Sequence, residues 1–146
     1  MNKSTILKFI LMPPLALLLF SARGDDDPTD PGVDNIVGVW KTVTNTTSYG
    51  SLTSPDSTEV ITFGTDMQLT FTINDDNTWS SVVVVSGETQ SDSGTWSVSG
   101  NTVTFKNPDE PDSTFDFSTS GNTLTVTSSE TTDGYTVYDV NVFTRQ

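Results

Sequence analysis

Apolar and polar residues alternate with a period of two along most of the chain after residue 35, as in Phe115-Asp116-Phe117. This alternation predicts strands that bury one face. No window shows the period of about 3.6 that is typical of an amphipathic helix. We expect nine strands, at residues 36–44, 59–63, 67–73, 78–85, 94–98, 102–106, 113–118, 123–127 and 135–144.

Short runs of turn-forming residues separate the expected strands. Asn-Asp-Asp-Asn occupies residues 74–77, and Ser-Gly-Asn occurs at both 99–101 and 120–122. Glycine and asparagine tolerate the positive φ of tight hairpin turns, so these runs predict connections between antiparallel neighbours. The segment 99–105 returns in similar form at 120–126. This indicates one reused hairpin, because a solenoid needs about three or more similar units.

The expected architecture depends on whether the edges of the sheet are left exposed or are paired. Four consecutive valines at 82–85 are apolar toward both faces of a strand, so they need cover on each side. A flat sheet would leave long edges rich in Val and Thr, whereas closure removes the edges. We therefore expect an all-β domain that forms an antiparallel up-and-down barrel of about eight to nine strands, and we favour it over a sandwich.

Composition and charge exclude several functions. The chain has no His and no Cys, which removes thiol nucleophiles, disulfides, His-based triads and the usual zinc and copper sites. Nineteen acidic residues against six basic ones give a formal charge of −13, so no basic surface is available for nucleic acid. No pattern brings a nucleophile and a base together. We expect no catalysis, no cofactor and no metal, and a solvated acidic turn at 107–112.

The first 34 residues do not belong to the expected barrel. Lys3 and Lys8 precede an apolar stretch at 9–20, which is shorter than the roughly 20 residues of a membrane span. Residues 1–23 therefore read as a signal peptide for export to the periplasm, the cell surface or the medium. Residues 24–34 hold five Asp, two Pro and two Gly, which predicts a flexible acidic spacer. The domain at 35–146 carries no expected transmembrane span.

The end of this leader has an unusual sequence. Ala22-Arg23-Gly24, followed by three Asp, resembles the processing site of Gram-negative bacterial lipoproteins. That family has Cys after the small residue, and its sulfur receives the lipid. Arg23 stands at that position here, and a guanidinium cannot be acylated. We therefore expect export without a lipid anchor, because anchoring would need Cys at position 23.

Several motifs of the expected barrel occur in a familiar order. They are Gly38-Val39-Trp40, the hairpin Phe-x-x-Asn-Asp-Asp-Asn-Thr at 71–78, Gly-Thr-Trp-Ser-Val-Ser-Gly-Asn at 94–101, and a closing strand at 138–145. Together they resemble lipocalins and the lipocalin-like domains of bacterial lipoproteins. The resemblance implies an eight-stranded barrel in which Trp40 plugs the closed end. It also implies that Arg145 packs over the Trp40 ring, with Gly38 allowing the close approach.

The resemblance also implies a function. Lipocalin-like barrels suggest a binding module for a small apolar or amphipathic molecule. The alternatives are a filled barrel that serves as a structural or interaction module of the cell envelope, and a small barrel that inhibits proteases. An internal cavity of about 300 Å³ or more would favour a ligand, and a filled core would not.

Candidate ligand contacts come from the expected interior and from the long polar stretch at 45–57. That stretch reads either as a loop at the barrel opening or as a mobile polar loop. On the last strand we expect Tyr138, Val140 and Val142 to point inward. Trp79 and Trp96 fit a filled core as well as they fit a pocket. The candidate ligand contacts are Tyr49, Leu52, Phe71, Trp79, Trp96, Phe105, Phe115, Phe117 and Tyr138.

The substitution Arg23→Cys tests the interpretation of the leader. In a Gram-negative host the Cys variant should gain lipid mass and fractionate with membranes, because it restores the acylated thiol. The Arg23 protein should carry no lipid. Intact-mass analysis and membrane fractionation of both proteins measure the difference. Lipid on the Arg23 protein, or none on the Cys variant, would contradict this interpretation.

Overall fold

The computed structural model describes residues 33–50, 55–132 and 135–146. The leader, Ala22, Arg23, Leu52 and most of the acidic spacer lie outside these residues. One helical turn and nine strands are present in the described part. They are α1 (Val33–Ile36), β1 (Gly38–Tyr49), β2 (Ser57–Thr62), β3 (Met67–Ile73), β4 (Thr78–Val85), β5 (Glu88–Ser99), β6 (Thr102–Lys106), β7 (Ser113–Ser120), β8 (Thr123–Thr132) and β9 (Tyr135–Arg145).

Eight of the nine strands close into an antiparallel barrel. β3 to β9 follow one another around the barrel, and β1 pairs with β3 on one side and with β9 on the other. β2 is an extra strand that, among the described strands, pairs only with the second half of β1. The predicted fold class, an up-and-down barrel of eight to nine strands, is confirmed. In the described residues no helix has the length and apolar character needed to cross a membrane.

The barrel has two different ends. At the closed end lie the start of β1, the end of β9 and the three predicted turns. The opposite end, the mouth, carries the connections after β1, β4 and β6. Each closed-end turn is tied to a later strand, because its Asn carbonyl accepts a hydrogen bond from an N–H of the strand after next. The pairs are Asn77 with Trp96 (2.9 Å), Asn101 with Phe117 (2.8 Å) and Asn122 with Arg145 (2.8 Å).

The three closed-end turns use the left-handed conformations that their sequences favour. Asn77 has φ of 63°, and Gly100 and Gly121 have φ of 58° and 56°. In the first turn the Asp76 carboxylate accepts hydrogen bonds from the hydroxyl and the N–H of Thr78. These bonds hold the pKa of Asp76 below its usual value. They favour the charged form, so their stabilisation is present above the usual pKa and is lost as pH falls through the lowered one.

A β-bulge in β1 changes which side chains point inward. The register with β9 shifts between Thr42 and Thr44, so Val43 is an extra residue. Trp40 and Thr42 are buried before the bulge, and Asn45 is buried after it. Between Thr42 and Asn45, the inward positions therefore change from even to odd numbers.

Several predicted boundaries are wrong because polar residues continue the strands, and β8, for example, runs to Thr132 and not to residue 127. The stretch predicted as a loop at 45–57 begins and ends as strand, since β1 runs to Tyr49 and β2 begins at Ser57. β5 likewise begins at Glu88, six residues before the predicted start. Thr and Ser alternate with other polar residues there, so no apolar period marks the strands, although Thr favours the extended backbone.

The four valines of β4 are not covered on both faces, which corrects the prediction. Val83 is buried inside the barrel, with 5% of its surface exposed, whereas Val82 points outward and keeps 40% exposed. Its cross-strand neighbours Thr70 and Ser91 are polar. The barrel wall therefore has a single layer at this position.

Gly94 allows β5 to pack closely against the end of β6. A Cβ atom at Gly94 would lie 1.8 Å from the carbonyl oxygen of Lys106 and 2.9 Å from Nε1 of Trp79. The same carbonyl accepts a hydrogen bond from Trp79 Nε1 at 3.4 Å. No side chain is small enough to replace the hydrogen of glycine there without moving backbone.

Gly94→Ala should lower the free energy of unfolding by about 3 kcal/mol or more, because the clash is with backbone rather than with a flexible side chain. Gly64→Ala is the matched control, since a Cβ atom at Gly64 would have no other atom within 4 Å. The control should stay within about 0.5 kcal/mol of the wild type. Urea denaturation of the three proteins measures both effects. Equal stabilities would contradict the close packing of β5 on β6.

Candidate functional site in the barrel interior

Four aromatic side chains fill the middle of the barrel, and we call them the aromatic cluster: Phe71, Trp79, Phe105 and Phe115. Phe71 stacks on Trp79 with ring centroids 5.2 Å apart, and Phe105 meets Phe71 edge-on at 5.0 Å. Phe115 lies 6.1 Å from Phe105. Such contacts stabilise beyond the area that they bury. The space that could hold a ligand is therefore largely occupied by the chain itself.

A small cavity remains beside the aromatic cluster. Its volume is about 30 Å³, which suits one or two water molecules, and ligand pockets are about 300–1,000 Å³. Nine of its ten lining residues are apolar, and Asn141 is the exception. The lining consists of Ile36, Leu69, Phe71, Ile73, Phe105, Phe115, Leu124, Val126, Asn141 and Phe143.

The wall between β1 and β9 becomes polar toward the mouth. The Asn45 side-chain amide donates to the Asn141 side-chain oxygen at 3.0 Å, and the Thr47 hydroxyl donates to Asp139 at 2.6 Å. Asn45 and Asn141 are 5% and 7% exposed. Buried amides are tolerated when they bond to each other. The interior is therefore apolar toward the closed end, and its wall between β1 and β9 is polar toward the mouth.

Two further polar groups lie inside the barrel. The hydroxyls of Thr42 and Ser81 are buried, and neither has a hydrogen-bond partner among the described residues. A buried hydroxyl without a partner costs about 1–3 kcal/mol. The interior therefore contains polar groups that apolar packing alone would not select.

The predicted ligand contacts fall into three groups in the structure. Phe71, Phe105 and Phe115 line the small cavity. Trp79, Trp96 and Phe117 are buried in the core outside the cavity lining. The indole of Trp96 donates to the Asn74 carbonyl at 2.9 Å, which fixes it to a closed-end turn.

Two of the three remaining predicted contacts, Tyr49 and Tyr138, do not line the cavity. Tyr49 ends β1 at the mouth and keeps 37% of its surface exposed. Leu52 lies outside the described residues. Tyr138 lies on the face of β9 opposite to the inward residues.

The expected facing of β9 is therefore wrong. Phe143 and Asn141 are buried and line the cavity, so Tyr138, Val140 and Val142 lie on the outer face. The prediction places Tyr138, Val140 and Val142 inside because they are the more apolar set. The Asn45–Asn141 hydrogen bond, however, allows a polar residue to point inward.

Sequence reasoning misses several lining residues. The pattern assigns Ile36 to the first strand, but this residue ends α1 and closes the base of the cavity. For Phe143 and Asn141 the pattern predicts the wrong face. Both faces of β9 carry apolar residues, so alternation alone does not show which face points inward. Only the pairing with β1 distinguishes the two faces.

The closed end is sealed by Trp40 and Arg145. The Arg145 guanidinium carbon lies 4.4 Å from the centroid of the Trp40 ring. Its two terminal nitrogens donate to the carbonyls of Val37 and Asn35, each at 2.9 Å. The Trp40 indole N–H donates to the Ile36 carbonyl at 2.7 Å. Residues 35–37, which lead into β1, are thus hydrogen-bonded to these two side chains.

Gly38 makes this arrangement possible. Its φ is +149°, which side chains rarely adopt, and a Cβ atom there would lie 2.8 Å from Nη1 of Arg145. Glycine at this position therefore permits both the backbone conformation and the close approach of the guanidinium. The structure brings together Gly38, Trp40 and Arg145, the three residues that the sequence assigns to the closed end.

Two contacts outside the interior involve charged side chains near the acidic stretch at 107–112. Lys106 pairs with Asp112 at 3.3 Å, and the Asn107 amide donates to Asp92 at 2.7 Å. Both contacts hold the acidic stretch at 107–112 against the barrel. Among the residues that the structure describes, no group of three or more His, Cys, Asp or Glu side chains could hold a metal ion.

The closed up-and-down barrel and its Trp-Arg seal define the class of protein. A family model described as a lipocalin-like domain matches residues 36–126, from the end of α1 into β8. The chain belongs to this lipocalin-like family. A search of the curated proteins finds no match to the sequence.

Replacing Trp40 and Arg145 tests the closed end. Trp40→Ala should lower the free energy of unfolding by about 3–5 kcal/mol, since the ring is fully buried. Arg145→Ala should cost less, about 1–2 kcal/mol. The double variant should cost less than the sum, because the two side chains touch. Arg145→Lys is a control that keeps the charge but cannot bond both carbonyls. Simple additivity in urea denaturation would contradict the contact.

Proposed function

We propose that this protein is an exported, non-catalytic module of the cell envelope, with a barrel filled by its own side chains, and that it acts through its outer surface. The observation that carries the proposal is the volume of the cavity beside the aromatic cluster, which is about 30 Å³ within the described part of the barrel. The second interpretation of the sequence, a filled interaction module, is thereby favoured over an interior ligand site.

Packing around the cavity supports the proposal. A ligand of moderate size would have to displace members of the aromatic cluster, whose rings touch at centroid distances of 5.0–6.1 Å. Phe71, Trp79, Phe105 and Phe115 are all at least nine-tenths buried. Moving such side chains out of the core would lose several kcal/mol of burial for each ring. The cost would offset most of the affinity that a small apolar ligand gains.

The leader supports the proposed location. Lys3, Lys8 and the apolar stretch at 9–20 provide the features of a secretory signal. Arg23 replaces the Cys of the lipoprotein pattern, so we propose that the mature protein is not lipid-anchored. Without an acyl chain, retention in the envelope depends on binding to another component.

Charge limits the partner that an outer surface could bind. Beyond residue 24 the sequence has 19 acidic residues and only three basic ones, Lys41, Lys106 and Arg145. Acidic partners would be repelled at ordinary ionic strength. Basic or uncharged partners are therefore favoured.

Titration with an apolar ligand tests the filled barrel. The wild type should show no saturable binding of a fluorescent fatty acid. Phe115→Ala should lose about 3–5 kcal/mol of stability and gain benzene binding, seen as a benzene-dependent rise in Tm. In another protein an engineered apolar cavity of roughly 150 Å³ is enough for benzene.

Val82→Ala is the matched control for this experiment. It removes an apolar side chain from the outer wall, where 40% of Val82 is exposed, and it should gain no benzene binding. Stoichiometric binding of the fatty acid by the wild type, with loss of binding on interior substitution, would overturn the proposed function.

A further inference from the structure

The free edge of β2 is a feature that a closed barrel does not need. β2 (Ser57–Thr62) pairs with β1, and no other described strand pairs with it. All six of its side chains are exposed. Val60 keeps 58% of its surface accessible and Ile61 keeps 36%. Because neighbouring residues of a strand point to opposite faces, the edge offers apolar surface on both of them.

The pairing with β1 identifies the backbone groups on the open side. The Phe63 N–H donates to the Val43 carbonyl at 2.9 Å, which fixes the alternation of hydrogen bonds along the hairpin. Counting back from Phe63, Ile61 and Glu59 direct their backbone groups toward β1. Thr58, Val60 and Thr62 direct theirs away from it, so each presents an N–H and a carbonyl that another strand could bond.

β2 lacks the usual protection of an edge strand. Natural edges are commonly blocked by Lys, Pro or a bulge, and the sequence Ser-Thr-Glu-Val-Ile-Thr contains no Lys or Pro. Its register with β1 is regular throughout. The mouth-side part of β5 is different, because the side chain of Asn107 bonds Asp92 and holds the acidic stretch against that strand.

Charge around β2 selects the kind of strand that could add to it. Asp56, Glu59 and Asp66 are exposed and lie immediately before, within and shortly after β2. A second copy of this chain would bring two strongly negative surfaces together. A basic segment would instead be attracted to all three carboxylates.

We propose that β2 accepts an extended segment of a partner protein as an additional strand, and that this segment alternates apolar and basic residues. On the face of Val60 the segment carries apolar side chains, and on the face of Glu59 it carries Lys or Arg, as cross-strand pairing favours. The inference rests on the proposed function, because it names the part of the outer surface that binds.

Synthetic peptides test this inference directly. The probe is a capped peptide of about six residues that alternates Val and Lys. A second peptide replaces Lys with Glu, and a third keeps the Val-Lys sequence but carries N-methyl groups on alternate backbone amides. Fluorescence anisotropy should show saturable binding of the first peptide, weakened by salt. The other two should bind at least about tenfold more weakly, since one loses charge pairing and the other loses strand pairing.

Val60→Pro blocks the edge without disturbing the hairpin. The Val60 N–H faces the open side, so proline removes a donor for the added strand and none for β1. Binding of the Val-Lys peptide should weaken roughly tenfold. Val60→Thr is the matched control, because it keeps the N–H and the branched side chain, and it should bind within about threefold of the wild type. Both variants should unfold at the wild-type temperature.

Amide hydrogen exchange supplies a readout that needs no variant. The Thr58 and Val60 amides should exchange quickly in the free protein and become protected when the Val-Lys peptide is bound. Slow exchange in the free protein would mean that a second copy or another part of the chain covers the edge, which would overturn the proposal. Equal binding by Val60→Pro, or by the N-methylated peptide, would also overturn it. These results would leave the filled barrel intact, because only the fatty-acid titration tests the interior.

Discussion

The pairing of the first strand with the last is the interaction on which the rest of this structure depends. β1 and β9 run antiparallel from Trp40 opposite Arg145 to Tyr49 opposite Val137. This pairing removes both long edges of the eight-stranded sheet. It also delivers Arg145 to the ring of Trp40 and Asn141 to Asn45. The Trp-Arg seal at one end and the polar wall near the other are consequences of the same strand pair.

The packed interior is the reason for proposing a role at the outer surface instead of an internal ligand site. The aromatic cluster leaves about 30 Å³ beside it, so in the proposed function the barrel is a rigid support. What the support carries is the hairpin of β1 and β2, whose outer strand is exposed along its whole length. In the proposed interaction, the acidic charge of the surface favours basic partners for that strand.

The sequence predicts those parts of the fold that depend on local chemistry. Asn77, Gly100 and Gly121 mark the turns because few other residues adopt their φ, and alternation places Phe115 and Phe117 inside correctly. The continuation of β1 past Thr44 escapes prediction because its pattern consists of polar residues. The facing of β9 escapes it because both faces carry apolar residues, and only the pairing with β1 distinguishes them. The cavity volume depends on how the rings of several strands pack together, and no local pattern records that.

The closure between the chain ends also has a consequence for the timing of folding. Arg145 bonds a carbonyl that lies 108 positions earlier in the chain, so the barrel cannot close until its last strand is available. Until β9 docks, the edges of β1 and β8 that it pairs with stay open. An open edge of this kind can pair with a strand of another chain, so closure of the barrel is also the step that removes a route to aggregation.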